Sequence, residues 1–458
     1  MRSRSVRNAP LPGAFNRLLV AWFASVTGDG MRFAALPLLA LSLSPSPAAV
    51  SAVAAATALP WLLIALPAGA LVDRLDPAAV ISWANTGRAL ATALLVIAVL
   101  AGRADIPLLC AVGFVLTAGE TFADSAGQSL LVRLVPPDRL ETANARFVGS
   151  ENIGLDLIGP LAAGALFAVA HWLPFALAAA IFLGTAVAML GLRQHRVGPG
   201  VTGAAAVTGA AATDDPSAPQ GSAIPVGTPA AAPMDATPPP LSVRAGFRVI
   251  FADRQLRALV ITVAIMSAAI AAAEGVLVVY STSVLRLPEA LYPTLLACYS
   301  VGLVLAAAAM SRWGARLRAG LMMVAAVAVI GATLLAMGVF PHPVVAWWSF
   351  LAMGAAGGTW NVLSASRRQR RTPPSMVARV SSTFRAISWG ALPLGTALGG
   401  FLAEARTVST VFVVAGAVVL VLALIAARFL AAPDGAPGTS DGAGSDTSVH
   451  RSDAAESV

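Results

Sequence analysis

Charged side chains stand inside stretches otherwise built almost wholly of Ala, Leu, Val and Ile, and they are the residues with chemistry to offer. A charge at mid-bilayer costs roughly 2.5–3.5 kcal/mol on insertion scales, so each one asks for a reason. Asp29 and Arg32, three apart, share a helical face. They form either an ion pair that opens and closes with function or a self-neutralising pair that only fixes packing. Glu120 and Asp124, four apart, also share a face. Two carboxylates so placed repel, and a shared proton relieves the repulsion, which is what a proton carrier needs. The alternative is that Asp124 pairs with Arg133 or Arg146 near the membrane edge. Glu274 stands alone near the middle of a later run, either as a proton- or cation-binding carboxylate or as a hydrogen-bonded structural residue.

The elements that must position these groups are membrane helices. With 458 residues, 57% apolar, 11% charged and a mean hydropathy of +0.79, the chain lies outside the soluble range. A bilayer-spanning helix needs about 20 apolar residues. Twelve such runs lie near 16–43, 48–72, 78–101, 106–133, 143–169, 172–191, 256–285, 290–310, 319–339, 343–365, 377–403 and 407–430. The expected fold is an all-α polytopic membrane protein.

Charge decides the topology and excludes one class of partner. The net charge is +8, and every basic residue is arginine. Arg2, Arg4, Arg7 and Arg17, Arg74, Arg133 and Arg139, Arg193 to Arg257, Arg312 to Arg318, and Arg367 to Arg371 fall on one side of the predicted spans. The other side holds little more than Arg103, Arg286 and Arg406. The positive-inside rule then places both termini in the cytoplasm. Spread among short loops without interleaved aromatics, these arginines make no nucleic-acid surface. Cys110 and Cys298 read as packing residues, and the four scattered histidines make no metal cluster. There is no phosphate-binding loop, no HExxH and no nucleophile cluster, so neither an enzyme nor a cofactor is expected.

The chain divides in two. Residues 1–14 form an N-terminal segment, 15–195 a six-helix bundle, 196–243 a linker rich in Ala, Gly, Pro, Thr and Ser, 244–431 a second six-helix bundle, and 432–458 a tail of disordered composition. The halves read as repeats. Arg146 precedes Pro160 by fourteen residues, and Arg379 precedes Pro393 by the same distance. In that alignment Arg385 faces the position of Asn152, so a pair between Arg385 and Glu151 or Asp156 would latch the halves on the cytoplasmic side. Paired repeats place a substrate site between them near mid-membrane. Phe33, Tyr280, Tyr299, Trp360, Phe384 and Trp389 are candidate cavity aromatics, with core or lipid-facing packing as the alternative. Trp347 and Trp348 read as interface anchors.

The stretch LPAGALVDRL at 66–75 resembles the motif after the second helix of the major facilitator superfamily, with Gly69, Leu71, Asp73 and Arg74 in agreement. Asp76, Pro77 and Ala78 stand where that family has a glycine and two basic residues. Gly159, Pro160 and Gly164 resemble its antiporter motif, and Pro393, Gly395 and Gly399 form the matching exit in the second half. The segments at 25–40, 120–146 and 388–400 resemble the bacterial exporter branch that includes the enterobactin exporter and macrolide-efflux proteins. The resemblance implies two six-helix pseudo-repeats and a cytoplasmic gate at Gly69, Asp73 and Arg74 with Arg146 and Arg379. It also implies a monomer in the bacterial plasma membrane that exports a small amphipathic molecule, drug or siderophore-like, by alternating access against protons. Asp29, Glu120, Asp124 and Glu274 would be the proton carriers. An importer, a lipid-translocating relative and a transport-dead sensor or assembly protein stay open on the same fold.

Overall fold

The computed structural model describes residues 11–64, 68, 71–72, 74–192, 243–313, 318–372 and 376–430. Among these, twelve helical rods stand where the apolar runs predict. In the first half they are α1 (Gly13–Leu43), α2 (Pro47–Leu63), α3 (Pro77–Leu100), α4 (Ile106–Leu134), α5 (Leu140–Val169) and α6 (Leu173–Leu190). A short helix, α7 (Val243–Ala252), precedes the second set. That set is α8 (Arg254–Gly275), α9 (Tyr292–Trp313), α10 (Ala319–Val339), α11 (Pro343–Arg371), α12 (Val377–Ala405) and α13 (Val408–Leu430). Starts are set by local chemistry. Ser46, Asp76, Asp105 and Asp253 each accept a hydrogen bond from the first-turn backbone of the helix that follows, and proline occupies the first turn of α2, α3 and α4.

Three differences from the sequence reading matter. The helix α7 lies just past the expected linker and packs along α12, with Phe247 and Phe251 stacked on it. The seventh run is broken: after Gly275 the chain continues as Leu277–Val279 and a π-helical turn, Tyr280–Val284. And α11 runs six residues past the apolar stretch, carrying Arg367 to Arg371 into the helix. A second π turn, Gly154–Ile158, interrupts α5 at Asp156.

Within the first bundle α1 packs on α5, α6 and α4, and α3 on α4 and α6; within the second, α8 packs on α12 and α13, α9 on α11, and α10 on α11 and α13. Large apolar side chains such as Val169, Phe401 and Leu424 remain exposed on the outside, the lipid-facing surface of such a bundle. The bundles meet along two seams. One joins α2 to α12, from the Ser46 hydroxyl donating to Glu404 (2.9 Å) to an edge-to-face contact of Trp61 and Trp389 (4.2 Å between rings). The other joins α5 to α9, from Gly164, where a Cβ would lie 2.7 Å from Pro293, to the Ser300 hydroxyl, which donates to the Asp156 carbonyl (2.8 Å). Both seams occupy the side of the membrane away from Leu11 and Leu430. One apolar core joins both bundles there, through Leu38, Phe167, Phe175, Val276 and Val278, and continues down the second bundle as far as Leu430. Toward the described chain ends the first bundle has its own separate core, with Phe15, Trp22, Phe147 and Met189. Among the described residues, the contacts that join the bundles lie along these two seams.

Candidate functional site

In the first bundle the buried charges form a closed network. Arg88, in the middle of α3, is 1% exposed. It donates to the Asp29 carboxylate, to the Ser25 hydroxyl (3.2 Å) and to the Asn85 side-chain oxygen (3.1 Å), and its guanidinium lies 3.9 Å over the Phe182 ring. Arg32 donates to Glu120 (2.7 Å) and to the Thr117 hydroxyl (3.1 Å). The expected pair of Asp29 with Arg32 exists, but at 3.7 Å it is the loosest contact of the set. Two arginines and two carboxylates cancel, so the network is neutral and its members neutralise one another in low dielectric. Arg88 was missed in the sequence, where arginines were read as loop markers. The insertion cost of an arginine ten positions into the apolar run 78–101 was the signal.

The other acids are not neutralised. Asp124, Glu151 and Asp156 are half-buried and make no ion pair with a described residue; Asn152 beside them is half-buried too. Asp124 is close enough to Glu120 and Glu151 to be repelled by both. It does not reach Arg133, and Arg146 is exposed without pairing to it. Glu274 is exposed, and its charge is felt by Tyr292 and Tyr299, the latter also within range of Asp156. None of these carboxylates forms an ion pair with a described residue, and Asp124 feels the charge of Arg88 at a distance.

The second bundle holds a cavity of about 300 Å³. Its walls are apolar at Val263, Met266 and Ile330, aromatic at Tyr299, Trp360, Phe384 and Trp389, and polar at Asn361, Ser364 and Ser388, with Arg368 and Arg385 at one end. Arg368 lies 4.2 Å over the Phe384 ring. Four of the six aromatics singled out in the sequence therefore come together. Tyr280 is a correction: it is fully buried in the second bundle's core, its hydroxyl donates to the Met337 carbonyl (2.5 Å) and its ring packs on Phe412. A buried phenol needs an acceptor, and after the helix break at Val276 this one meets α10 and α13 in place of the cavity. Phe33 is exposed and does not line the cavity. Trp348 is exposed, whereas Trp347 donates to Thr294 (2.9 Å). Arg385 makes no pair with Glu151 or Asp156 here, so the expected latch is not formed with the bundles in this arrangement.

The gate and packing residues divide similarly. Gly69 and Asp73 lie outside the described residues, as does the Arg379 side chain; Arg74 and Arg146 are exposed. Asp76, which replaces the family's glycine, caps α3 by accepting from the Ala78 backbone (3.3 Å). Gly159 sits against Gly30 of α1, while Gly395 and Gly399 sit against the α8 backbone at Ala268 and Ala272, with Pro393 buried one turn earlier.

Twelve apolar helices in two bundles among the described residues, with carboxylates inside the spans, define a polytopic membrane transporter, not an enzyme. The chain belongs to the Major Facilitator Superfamily, whose sequence profile matches residues 18–392. It is 25% identical to an uncharacterised MFS-type transporter of Sinorhizobium fredii, over 93% of this chain and 96% of that one. An uncharacterised MFS-type transporter of Mycobacterium tuberculosis is 36% identical over 152 residues, 32% of this chain and 33% of the relative. Among solved structures, a bacterial homologue of the iron transporter ferroportin in an inward-facing state superposes with a TM-score of 0.70 at 17% identity, covering 92% of this chain and 99% of that one. A mutant of the nucleoside transporter NupG gives 0.69 at 13%, covering 91% and 100%. At these identities the structural likeness shows the shared fold.

Proposed function

We propose that this protein is a proton-coupled exporter of small amphipathic molecules, working by alternating access as a monomer in a bacterial plasma membrane with both termini in the cytoplasm. The observation that carries the reading is the set of carboxylates, Asp124, Glu151, Asp156 and Glu274, that form no ion pair with a described residue, together with an aromatic cavity in the second bundle. With the termini cytoplasmic, as the arginine distribution argues, the described seams between the bundles lie toward the outer side, which supports an inward-facing arrangement. The outward direction rests on the segments similar to the bacterial drug and siderophore exporters.

Asp124 and Glu274 are the preferred proton carriers, because Asp29 and Glu120 are held by Arg88 and Arg32. In the outward-facing state Arg385 approaches Glu151 or Asp156 and latches the cytoplasmic side, helped by Arg74, Arg146 and Arg379 around the loop at Gly69 and Asp73. A transport-dead sensor gains nothing from unpaired carboxylates that cost insertion energy. The test is uptake of amphipathic dyes, macrolides and iron chelators into inside-out vesicles, with and without a protonophore, for the native protein, Asp124→Asn and Glu274→Gln. Protonophore-sensitive uptake lost in either variant is the expected result. Movement indifferent to the proton gradient removes the coupling, and no movement of any compound in a correctly inserted protein favours the sensor.

A further inference from the structure

Arg368 and Arg385 line one cavity that has no carboxylate in its wall, and they are close enough to repel each other. Neighbouring arginines near the end of α11 do otherwise: Arg371 pairs with Asp253 (3.2 Å), and Arg367 donates to the Leu430 carbonyl (2.8 Å). Arg385, by contrast, is exposed and forms no ion pair with a described residue. The Nε of Arg368 is buried without a hydrogen-bond partner, and stacking on Phe384 holds its guanidinium plane in place. Glu274 acts on Tyr299 in the wall but does not itself line the cavity.

Two uncompensated guanidinium groups in a membrane cavity are costly until an anion joins them, and a planar fork binds carboxylate, sulfonate or phosphate oxygens two at a time. Above them the wall is aromatic, with Trp360, Trp389 and Phe384, and the volume is at the small end of the range for organic ligands, roughly 300–1,000 Å³. From this geometry we infer that the cavity is an anion site: Arg368 and Arg385 clamp the acidic group of a substrate whose aromatic or apolar body packs on Trp360 and Trp389. The inference deepens the export reading, on which it rests, by narrowing the small amphipathic substrates to organic anions. The same oxyanion chemistry is carried by a free organic acid and by an anionic phospholipid headgroup.

The experiment is equilibrium binding to the full-length protein in phosphatidylcholine nanodiscs, read by tryptophan quenching against empty discs. The probes are 2-naphthalenesulfonate, neutral 2-naphthamide and cationic 2-naphthylmethylammonium. The sulfonate is expected to bind at least tenfold more tightly than either analogue, and Arg368→Gln and Arg385→Gln each to weaken it by tenfold or more. Arg368→Lys, which keeps the charge and loses the stacked fork, retains part of the affinity. Arg312→Gln, exposed outside the cavity, leaves binding unchanged and controls for folding. Repeating the titration in discs containing phosphatidylglycerol separates the sources: loss of sulfonate binding there assigns the site to a lipid headgroup, and unchanged binding assigns it to a free anion. Equal affinity for the three probes, or sulfonate affinity untouched in both glutamine variants, overturns the anion site. Binding needs neither a proton gradient nor turnover, so a protein that transports dyes but fails this titration keeps the export reading and loses only the anion.

Discussion

The two bundles share a helix count and a repeat, yet they treat charge in opposite ways. In the first, Arg32 and Arg88 are consumed by Asp29 and Glu120, deep between α1, α3 and α4. In the second, Arg368 and Arg385 face an open cavity with no carboxylate in its wall. Internal pairing makes a stiff block whose polar groups satisfy one another. Unpaired charge makes a surface that has affinity for something else. The difference teaches that a buried arginine with its carboxylate beside it serves the architecture, while an arginine on a cavity wall with no carboxylate beside it is left available to a ligand.

The sharpest way to break this contrast is Arg88→Leu set beside Arg385→Gln. Removing Arg88 leaves the Asp29 carboxylate buried without its cation and should cost about 3–5 kcal/mol. Thermal melting in detergent should show a large fall for Arg88→Leu and almost none for Arg385→Gln, an exposed position where substitutions usually fall within about 0.5 kcal/mol. The double variant Asp29→Leu with Arg88→Leu should recover most of the loss, because an apolar pair of similar volume is tolerated. Equal melting of the two single variants would erase the distinction. A smaller effect is expected for Glu120→Gln, which keeps an acceptor for Arg32 but loses a charge-assisted bond of about 1.5–3 kcal/mol. The smallest should be Tyr280→Phe in the second bundle, about 0.5–1.5 kcal/mol for the bond to Met337. Dye transport should be unchanged by it, and altered substrate selectivity there would return Tyr280 to the cavity.

The twelve spans were legible because a bilayer demands long apolar runs and nothing else in the chain resembles them. The pairing of Arg32 with Glu120 was not, since α1 and α4 are 85 or more residues apart at that contact and one sequence does not say which faces meet. Arg88 and Arg368 were hidden by one habit of reading, that arginine marks a loop. Arg88 sits inside a run, and Arg368 lies on a helix that continues beyond its apolar part. Tyr280 was misplaced for a related reason: the helix breaks at Val276, just before it, which resets the facing of the side chains that follow, while the apolar run continues across the break. Glu274, Asp124 and the cavity aromatics Tyr299, Trp360, Phe384 and Trp389 were found because charge and large rings inside a span are rare enough to be noticed.

In the alternating-access cycle proposed above, the edge-to-face pair of Trp61 and Trp389 would set the mechanics. The seam above it, from Ser46 to Trp61, is fifteen residues of helix, about 22 Å at 1.5 Å per residue. If the bundles rock as rigid levers, this pair is the fulcrum. Two rings meeting edge to face can roll over one another while staying in contact, whereas the Ser46–Glu404 bond at the end of the arm must break. On that lever the resistance to switching would concentrate at the rim farthest from the pivot, where the polar contacts of Glu404 with Ser46 and Ala48 have the greatest leverage.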